Sequence, residues 1–264
     1  MVVLPATISN NVPGTEYSLG SDTCLNTLID FCDAIRQSAS SSRRRVFVIE
    51  TQGGNSGYIA TTAGLSVGAT AVYIPEEGIN IKTLSRDIEF LRDSFTKDRG
   101  VNRAGKIILR NERASKTYTT QTVADIIKEE ACGRFESRAA VPGHFQQGGK
   151  PSPMDRIRAL RMAIKCMMHL EGYIEKSADE IAADHLSSSV IGIKGSQILF
   201  SPLGGETGLE ATETDWKRRR PKTEFWLELK DTVDILSGRA SFVGETEEAA
   251  SYYQRTAGSV PGSP

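Results

Sequence analysis

The stretch "VFVIETQGGNSGYIATTAGLSVGATAVYIPEE" (46–77) decides the fold. Residues 46–50 form an unbroken apolar run, the pattern of a strand buried on both faces. "TQGGNSG" (51–57) interrupts it with Gly53, Gly54 and Gly57, which reads as a tight turn. A helix of small residues follows, and "AVYIPEE" (71–77) reads as a second strand. A strand, a glycine turn, a helix and a strand in succession are the parts of a βαβ unit.

The same alternation extends both ways. Upstream, "VVL" (2–4) reads as a strand, and Leu25, Leu28, Ile29, Cys32 and Ile35 share one helical face. The run "RQSASSSRRR" (36–45) is expected to end that helix as a polar loop. Downstream, Leu84, Ile88, Leu91 and Phe95 mark a helix, "KDRGVNRAGK" (97–106) a loop and "IILRNE" (107–112) a third strong strand. Val123, Ile126 and Ile127 mark another helix, and "RAAVPGHFQQGG" (138–149) is a strand-like run ending in polar residues and glycine. In "SPMDRIRALRMAIKCMMHLEG" (152–172), Ser152 predicts an N-cap, with Pro153 in the first turn and Asp155 three residues on. Ile157, Leu160, Ile164, Met167 and Met168 are predicted to face the core, and Gly172 to stop the helix. "VIGIKGSQILFSPL" (190–203) reads as one or two edge strands, and a last helix covers about 222–236. The expected architecture is α/β: a mainly parallel sheet flanked by helices. Residues 1–237 form the folded part, and the Gly/Ser/Glu-rich tail 238–264 is expected to be disordered.

Composition narrows the function classes. At 264 residues the chain can bury a substantial core. Its net charge of −1 does not suit a nucleic-acid binder. No apolar run approaches the roughly 20 residues of a membrane span, and no signal-like segment follows Met1. Cys24, Cys32, Cys132 and Cys166 show no CxxC spacing, and three of them lie in apolar helical patterns. Buried free thiols and a reducing, cytosolic setting follow. A core strand at the first residue, with no lead-in, is expected of a fragment whose natural start lies upstream.

Several loops carry candidate chemistry. After the first strand, "PATISNN" (5–11) offers Thr7, Ser9, Asn10 and Asn11, and the loop has no carboxylate before Glu16. In α/β proteins such loops at the carboxyl ends of strands hold the ligand. In "ETQGGNSG" (50–57), two readings stand side by side: backbone amides approaching an anion, or glycines serving only a tight turn. "RAAVPGHFQQGG" clusters Arg138, His144, Gln146 and Gln147, which suits a polyanion. Glu112 ends a strand, and a carboxylate suits sugar hydroxyls better than phosphate. Arg45 precedes the buried strand at 46–50, whereas Arg43 and Arg44 read as a solvated loop. In "KRRRPK" (217–222), Lys217, Arg218 and Arg220 read as a solvated helix entry. Together the arginines and amides suit phosphate and the carboxylate suits hydroxyls, so the composite reads as a phosphosugar site.

With these residues assembled, the chain resembles the ATP-dependent 6-phosphofructokinases, specifically the C-terminal half of the long, duplicated eukaryotic type. The resemblance rests on "PATISNNVPGTEYSLGSDT", "RVFVIETQGGNSGYIA", "IILRNE", "VPGHFQQGGKPSPMDR" and "TDWKRRRPK", in family order from residue 1 to about 236. The catalytic version of the first motif reads P-G-T-I-D-N-D, and Ser9 and Asn11 stand at its two Asp positions. Gln147 stands where the catalytic HxQRGG pattern has Arg. The resemblance therefore implies a phosphofructokinase-like fold and a regulatory half, in which no residue is catalytic and none holds a metal. Its old substrate pocket would bind the activator fructose 2,6-bisphosphate.

By the same resemblance, Thr7, Ser9, Asn10 and Asn11 would hydrogen-bond the effector, Gln52, Gly53 and Gly54 would line the sugar, and Glu112 would accept its hydroxyls. His144, Gln146 and Gln147 would sit at a phosphate, with Arg219 nearby. Arg45 and Arg138 match arginines that reach into a neighbouring subunit's site. Gln52 departs from the family's usual Met and alters the lining rather than the charge. The implied partners are the N-terminal catalytic half and neighbouring phosphofructokinase subunits. ATP and Mg²⁺ would serve the complete enzyme, and no cofactor is expected in this segment, which lacks the family's Gly-rich nucleotide motif. Alone, the segment is expected to be inactive and only marginally stable. Two other readings remain at this point: a competent phosphosugar kinase segment, and a scaffold kept only for oligomer assembly.

Overall fold

A computed structural model describes residues 1–41, 44–97, 105–212 and 225–240. The predicted positions Arg43, Lys217, Arg218, Arg219 and Arg220 lie outside them, as do most of the 97–106 loop and the tail beyond Ala240. In chain order the elements are β1 (Val2–Val3), α1 (Ser21–Ser41), β2 (Arg45–Thr51), α2 (Tyr58–Val67), β3 (Ala71–Tyr73), α3 (Ile81–Lys97), β4 (Lys106–Asn111), α4 (Thr120–Glu130) and β5 (Glu136–Ala140). A 3₁₀ turn at Gly143–Gln147 precedes α5 (Pro153–Glu171), α6 (Ala178–Ala183), β6 (Ser189–Lys194), β7 (Gln197–Pro202), α7 (Leu209–Thr212) and α8 (Trp226–Ser237).

The main sheet is four-stranded and wholly parallel, in the order β3-β4-β2-β5. Alternate side chains of its central strands serve opposite layers, as strand geometry requires. Phe47, Ile49, Ile107 and Leu109 pack against α1, α2 and α8 through Cys24, Leu28, Ile59, Ala63, Trp226 and Val233. Val46, Val48 and Ile108 pack against α3 and α4 through Leu84, Ile88, Leu91, Val123 and Ile127. The apolar residues at 46–49 are the signature of this two-sided burial.

A second sheet, β1-β6-β7, pairs β1 parallel to β6 and closes β6 and β7 as an antiparallel hairpin. It pins the first loop: Ile193 receives the Glu16 N–H at 2.8 Å and gives its own N–H to Thr15 Oγ1 at 3.0 Å. A Cβ added to Gly192 would lie 1.9 Å from the Gly14 carbonyl oxygen, so only glycine permits this approach.

Several expectations are corrected. Helix α1 continues to Ser41, through half of the predicted 36–45 loop, and Ser40 and Ser41 bond back to carbonyls in the preceding turn. Strand β3 stops at Tyr73, short of the predicted 77. The Ser152 cap is present, its hydroxyl accepting the Asp155 N–H at 3.1 Å. The predicted core face of α5 is not in the core. Ile157, Leu160, Ile164, Met167 and Met168 are 51–66 % exposed, while Met162 alone is fully buried against Ile191 and Ile193. The helix carries apolar residues on two faces, and periodicity identifies a face without saying what covers it.

Of the cysteines, Cys24 and Cys32 are buried, Cys166 is half-buried and Cys132 is exposed, all as free thiols. Burial pushes the Cys32 thiol up to about 12, with Asp33 adding and Arg36 opposing. Only about 10⁻⁴ of such a thiol is ionised at pH 8. Iodoacetamide at pH 8 is therefore expected to alkylate Cys132 and leave Cys24 and Cys32 untouched until urea is added. Peptide mass spectrometry that finds Cys32 labelled in the native chain would contradict this burial.

Among the described residues, no helix is long and apolar enough to cross a membrane.

Candidate functional site

Because β2 and β4 are parallel neighbours, Thr51 pairs with Asn111, and the segments that follow them leave the sheet at the same end. The Glu112 N–H bonds to the Thr51 carbonyl at 2.9 Å. The Glu112 carboxylate then turns onto the glycine turn, accepting the Gly53 N–H at 3.3 Å and the Gly54 N–H at 3.0 Å. Gly54 has φ +58, which favours glycine. Asn111, buried in the strand, fixes the far side of the turn: its Nδ2 donates to the Ser56 carbonyl at 2.8 Å. Its one visible signal is an amide inside an apolar strand, "IILRN".

The first loop covers this turn. Ser9 Oγ lies 3.3 Å from the position a Cβ on Gly54 would take. Thr7 Oγ1 accepts the Ser9 N–H at 3.2 Å. Asn10, at φ 51, spends its side chain on the loop itself. Its Nδ2 donates to the Glu16 carbonyl at 2.7 Å, and its Oδ1 accepts the Ser18 N–H at 2.6 Å. Asn11 is also buried.

The 3₁₀ turn supplies the third wall. Gln146 is fully buried and clamps Gln52 from both sides of the peptide, accepting its N–H at 2.9 Å and donating to its carbonyl at 3.0 Å. The same Nε2 also lies 3.2 Å from Cys24 Sγ. Gln147 is exposed and donates to Gln52 Oε1 at 2.6 Å; His144, in the same 3₁₀ turn, is also exposed. Gln146 and Asn10 thus stand behind the site, as supports for its loops. Of the predicted site residues, the fold gathers Thr7, Ser9, Gln52, Gly53, Gly54, Glu112 and Gln147 about the glycine turn.

Arg45 and Arg138 are not among them. They sit at the opposite, N-terminal end of β2 and on β5, roughly 20 Å along the strand from Gln52. Both approach Glu136: Arg45 Nη2 at 2.8 Å and Arg138 Nη2 at 3.7 Å. The hydrogen bond from Arg45 holds the exposed Glu136 carboxyl below its usual range.

The side chains from Thr7 to Asn11 are all uncharged. Glu112 is turned onto amide N–H groups, and Glu16 accepts the Gly195 N–H at 2.8 Å. Among the described residues, no group of three or more His, Cys, Asp and Glu could hold a metal ion. This donor set does not suit Mg²⁺, which wants carboxylates around an octahedron. What the loops offer is hydroxyls, amides and backbone N–H groups, with one carboxylate: a set for binding sugar hydroxyls and anions.

The sequence model of a family described as phosphofructokinase matches residues 1–170. Over 241 residues the chain is 88 % identical to an ATP-dependent 6-phosphofructokinase of Aspergillus niger, covering 91 % of this chain and 31 % of that protein. It is 50 % identical to an ATP-dependent 6-phosphofructokinase subunit beta of Komagataella phaffii, covering 91 % of this chain and 26 % of the relative. Among solved structures, phosphofructokinase from Saccharomyces cerevisiae aligns with a TM-score of 0.82 at 48 % identity, over 90 % of this chain and 31 % of that one. The Pichia pastoris phosphofructokinase crystal structure in the T-state aligns with 0.83 at 48 %, over 91 % and 28 %. The chain thus spans under a third of the length of these relatives.

Proposed function

From the premise that this chain belongs to the phosphofructokinase family, we propose that it is a regulatory segment that binds fructose 2,6-bisphosphate and performs no chemistry itself. The complete enzyme would transfer phosphate from ATP, with Mg²⁺, to fructose 6-phosphate in the cytoplasm. One observation carries the reading: Ser9 of the uncharged loop Thr7–Asn11 lies against Gly54, whose N–H is held by Glu112. Ser9 is no base at neutral pH without an activating partner. Uncharged groups in place of carboxylates also remove repulsion from a bisphosphate. Gln147 offers an amide to a phosphate oxygen, and Glu112 can exchange its two backbone N–H partners for sugar hydroxyls.

Arg45 and Arg138, at the far end of the sheet, fit a role in a neighbouring subunit's site, which would couple binding to assembly. Relatives named subunit alpha and subunit beta in Komagataella pastoris and Komagataella phaffii agree with assembly from several chains. The exposed apolar face of α5 gives the scaffold reading its own support, since assembly alone would also explain it.

Calorimetry on the complete polypeptide separates these readings. Fructose 2,6-bisphosphate is expected to bind, and Glu112→Ala to weaken it about 10- to 100-fold, the loss of hydrogen bonds to a charged group. Absence of binding, or binding indifferent to both Glu112→Ala and Arg138→Ala, favours the scaffold. Turnover of ATP and fructose 6-phosphate by this segment, abolished by Glu112→Ala, would establish the kinase reading instead.

A further inference from the structure

The turn at 53–57 is held from behind by a residue outside the site. Glu76, on the loop after β3, accepts two donors on one carboxylate oxygen: the Gly57 N–H at 2.8 Å and Trp226 Nε1–H at 3.1 Å. Gly57 is the residue before α2, and its cap has no side chain of its own, so Glu76 provides negative charge at that helix start. The fit is tight, because a Cβ on Gly57 would come within 2.7 Å of both Glu76 and Ile74. The other oxygen of Glu76 is buried without a hydrogen-bond partner among the described residues, so both hydrogen bonds of this carboxylate fall on one oxygen.

Trp226 is fully buried at the start of α8. It packs edge-on against Tyr58, the first residue of α2, with ring centroids 6.1 Å apart. Its neighbour Phe225 touches Tyr58 at 5.9 Å and Tyr17 of the first loop at 6.1 Å. The start of α8 therefore packs against both loops that meet at Ser9 and Gly54.

We propose that Glu76 is a positioning residue of the site, tying the Gly53–Gly57 turn to Trp226 so that the seating of α8 sets the geometry offered to ligand. The inference rests on the binding role proposed above for the turn. From Gly57 the constraint passes through Ser56, whose carbonyl is held by Asn111, to the Gly53 and Gly54 amides on Glu112. Since α8 lies far along the chain from that turn, this carboxylate gives events at the C-terminal end of the segment a polar route to the ligand, beside the aromatic packing.

The test uses the complete polypeptide with Glu76→Met, Glu76→Gln and Trp226→Phe. Glu76→Met keeps the length and removes the acceptor; Glu76→Gln keeps an acceptor oxygen; Trp226→Phe keeps the ring packing and removes the N–H. Fructose 2,6-bisphosphate affinity is expected to fall about tenfold in Glu76→Met and to return to within about threefold in Glu76→Gln. Trp226→Phe should weaken binding alone and add little in the Glu76→Met background, as for one shared interaction. Amide hydrogen exchange gives a readout that needs no ligand. Exchange at Gly53 and Gly54 should accelerate in both Glu76→Met and Trp226→Phe. Unchanged affinity, failure of Gln to rescue, additive effects, or faster exchange confined to Gly57 would each overturn the role of Glu76. If the parent binds no effector, the proposed function fails, and the exchange result alone decides whether the link exists.

Discussion

An Arg110→Met variant is expected to lose about 3–5 kcal/mol of stability, the cost of breaking a buried ion pair from one side. Arg110 lies in β4 with only 2 % of its side chain exposed. Its Nη1 is 3.5 Å from Glu50 and 3.3 Å from Thr120 Oγ1. Its Nε donates to the Tyr118 carbonyl at 2.8 Å and its Nη2 to the Ser115 carbonyl at 2.7 Å. Burial pushes the guanidinium down, and Glu50 and Glu112 oppose it. Methionine fills the volume but leaves the Tyr118 and Ser115 carbonyls without their donor and removes the cation beside Glu50, which keeps only the Thr120 hydroxyl. With a urea m-value of about 1–3 kcal/mol/M, the midpoint should fall by at least about 1 M. Adding Glu50→Gln should recover part of the loss, because no unpaired charge then remains. A loss below about 1 kcal/mol would show that the pair contributes no more than a surface ion pair. The effect should reach the site as well, since Arg110 ties the loop that follows Glu112 back onto β4.

The second large effect concerns assembly. Leu160→Glu with Ile164→Glu, on the outer face of α5, is expected to leave this chain's own stability within about 0.5 kcal/mol. The same pair should weaken association with the remainder of the enzyme by at least about 100-fold. Burying an aliphatic side chain of this size contributes about 1.5–3 kcal/mol, and a carboxylate in its place must be desolvated. Leu160 is 66 % and Ile164 60 % exposed, and Ile157, Met167 and Met168 extend the patch along the helix. An exposed apolar face of this kind is expected to be an interaction surface. Co-purification with the separately expressed remainder of the polypeptide reads the result. Equal recovery of variant and parent would remove α5 from the interface.

The sequence was informative where local chemistry decides structure. The continuous run at 46–50 identified a strand covered on both sides, and the glycines of 53–57 located the turn that carries two of the site's backbone donors. Ser152 and Pro153 marked the start of α5 to the residue. Glu112 and Ser9 were found as candidates, and the fold brings both onto the same glycine turn. These follow from backbone rules acting over a few residues. Sequence could not assign the remaining roles, because each depends on a partner far along the chain. Gln146 looked like a phosphate ligand beside Gln147, but the 3₁₀ turn aims it inward at Gln52, 94 residues away. Arg138 clusters with His144 in sequence, but parallel pairing sets it opposite Phe47, away from the glycine turn. Glu76 read only as part of a strand end, and its role depends on Trp226, 150 residues on. Periodicity shows that a side chain is apolar, and composition that it can donate or accept. Only the packing of distant segments decides which face is covered and which partner is met, as the exposed face of α5 and the Glu76 link show.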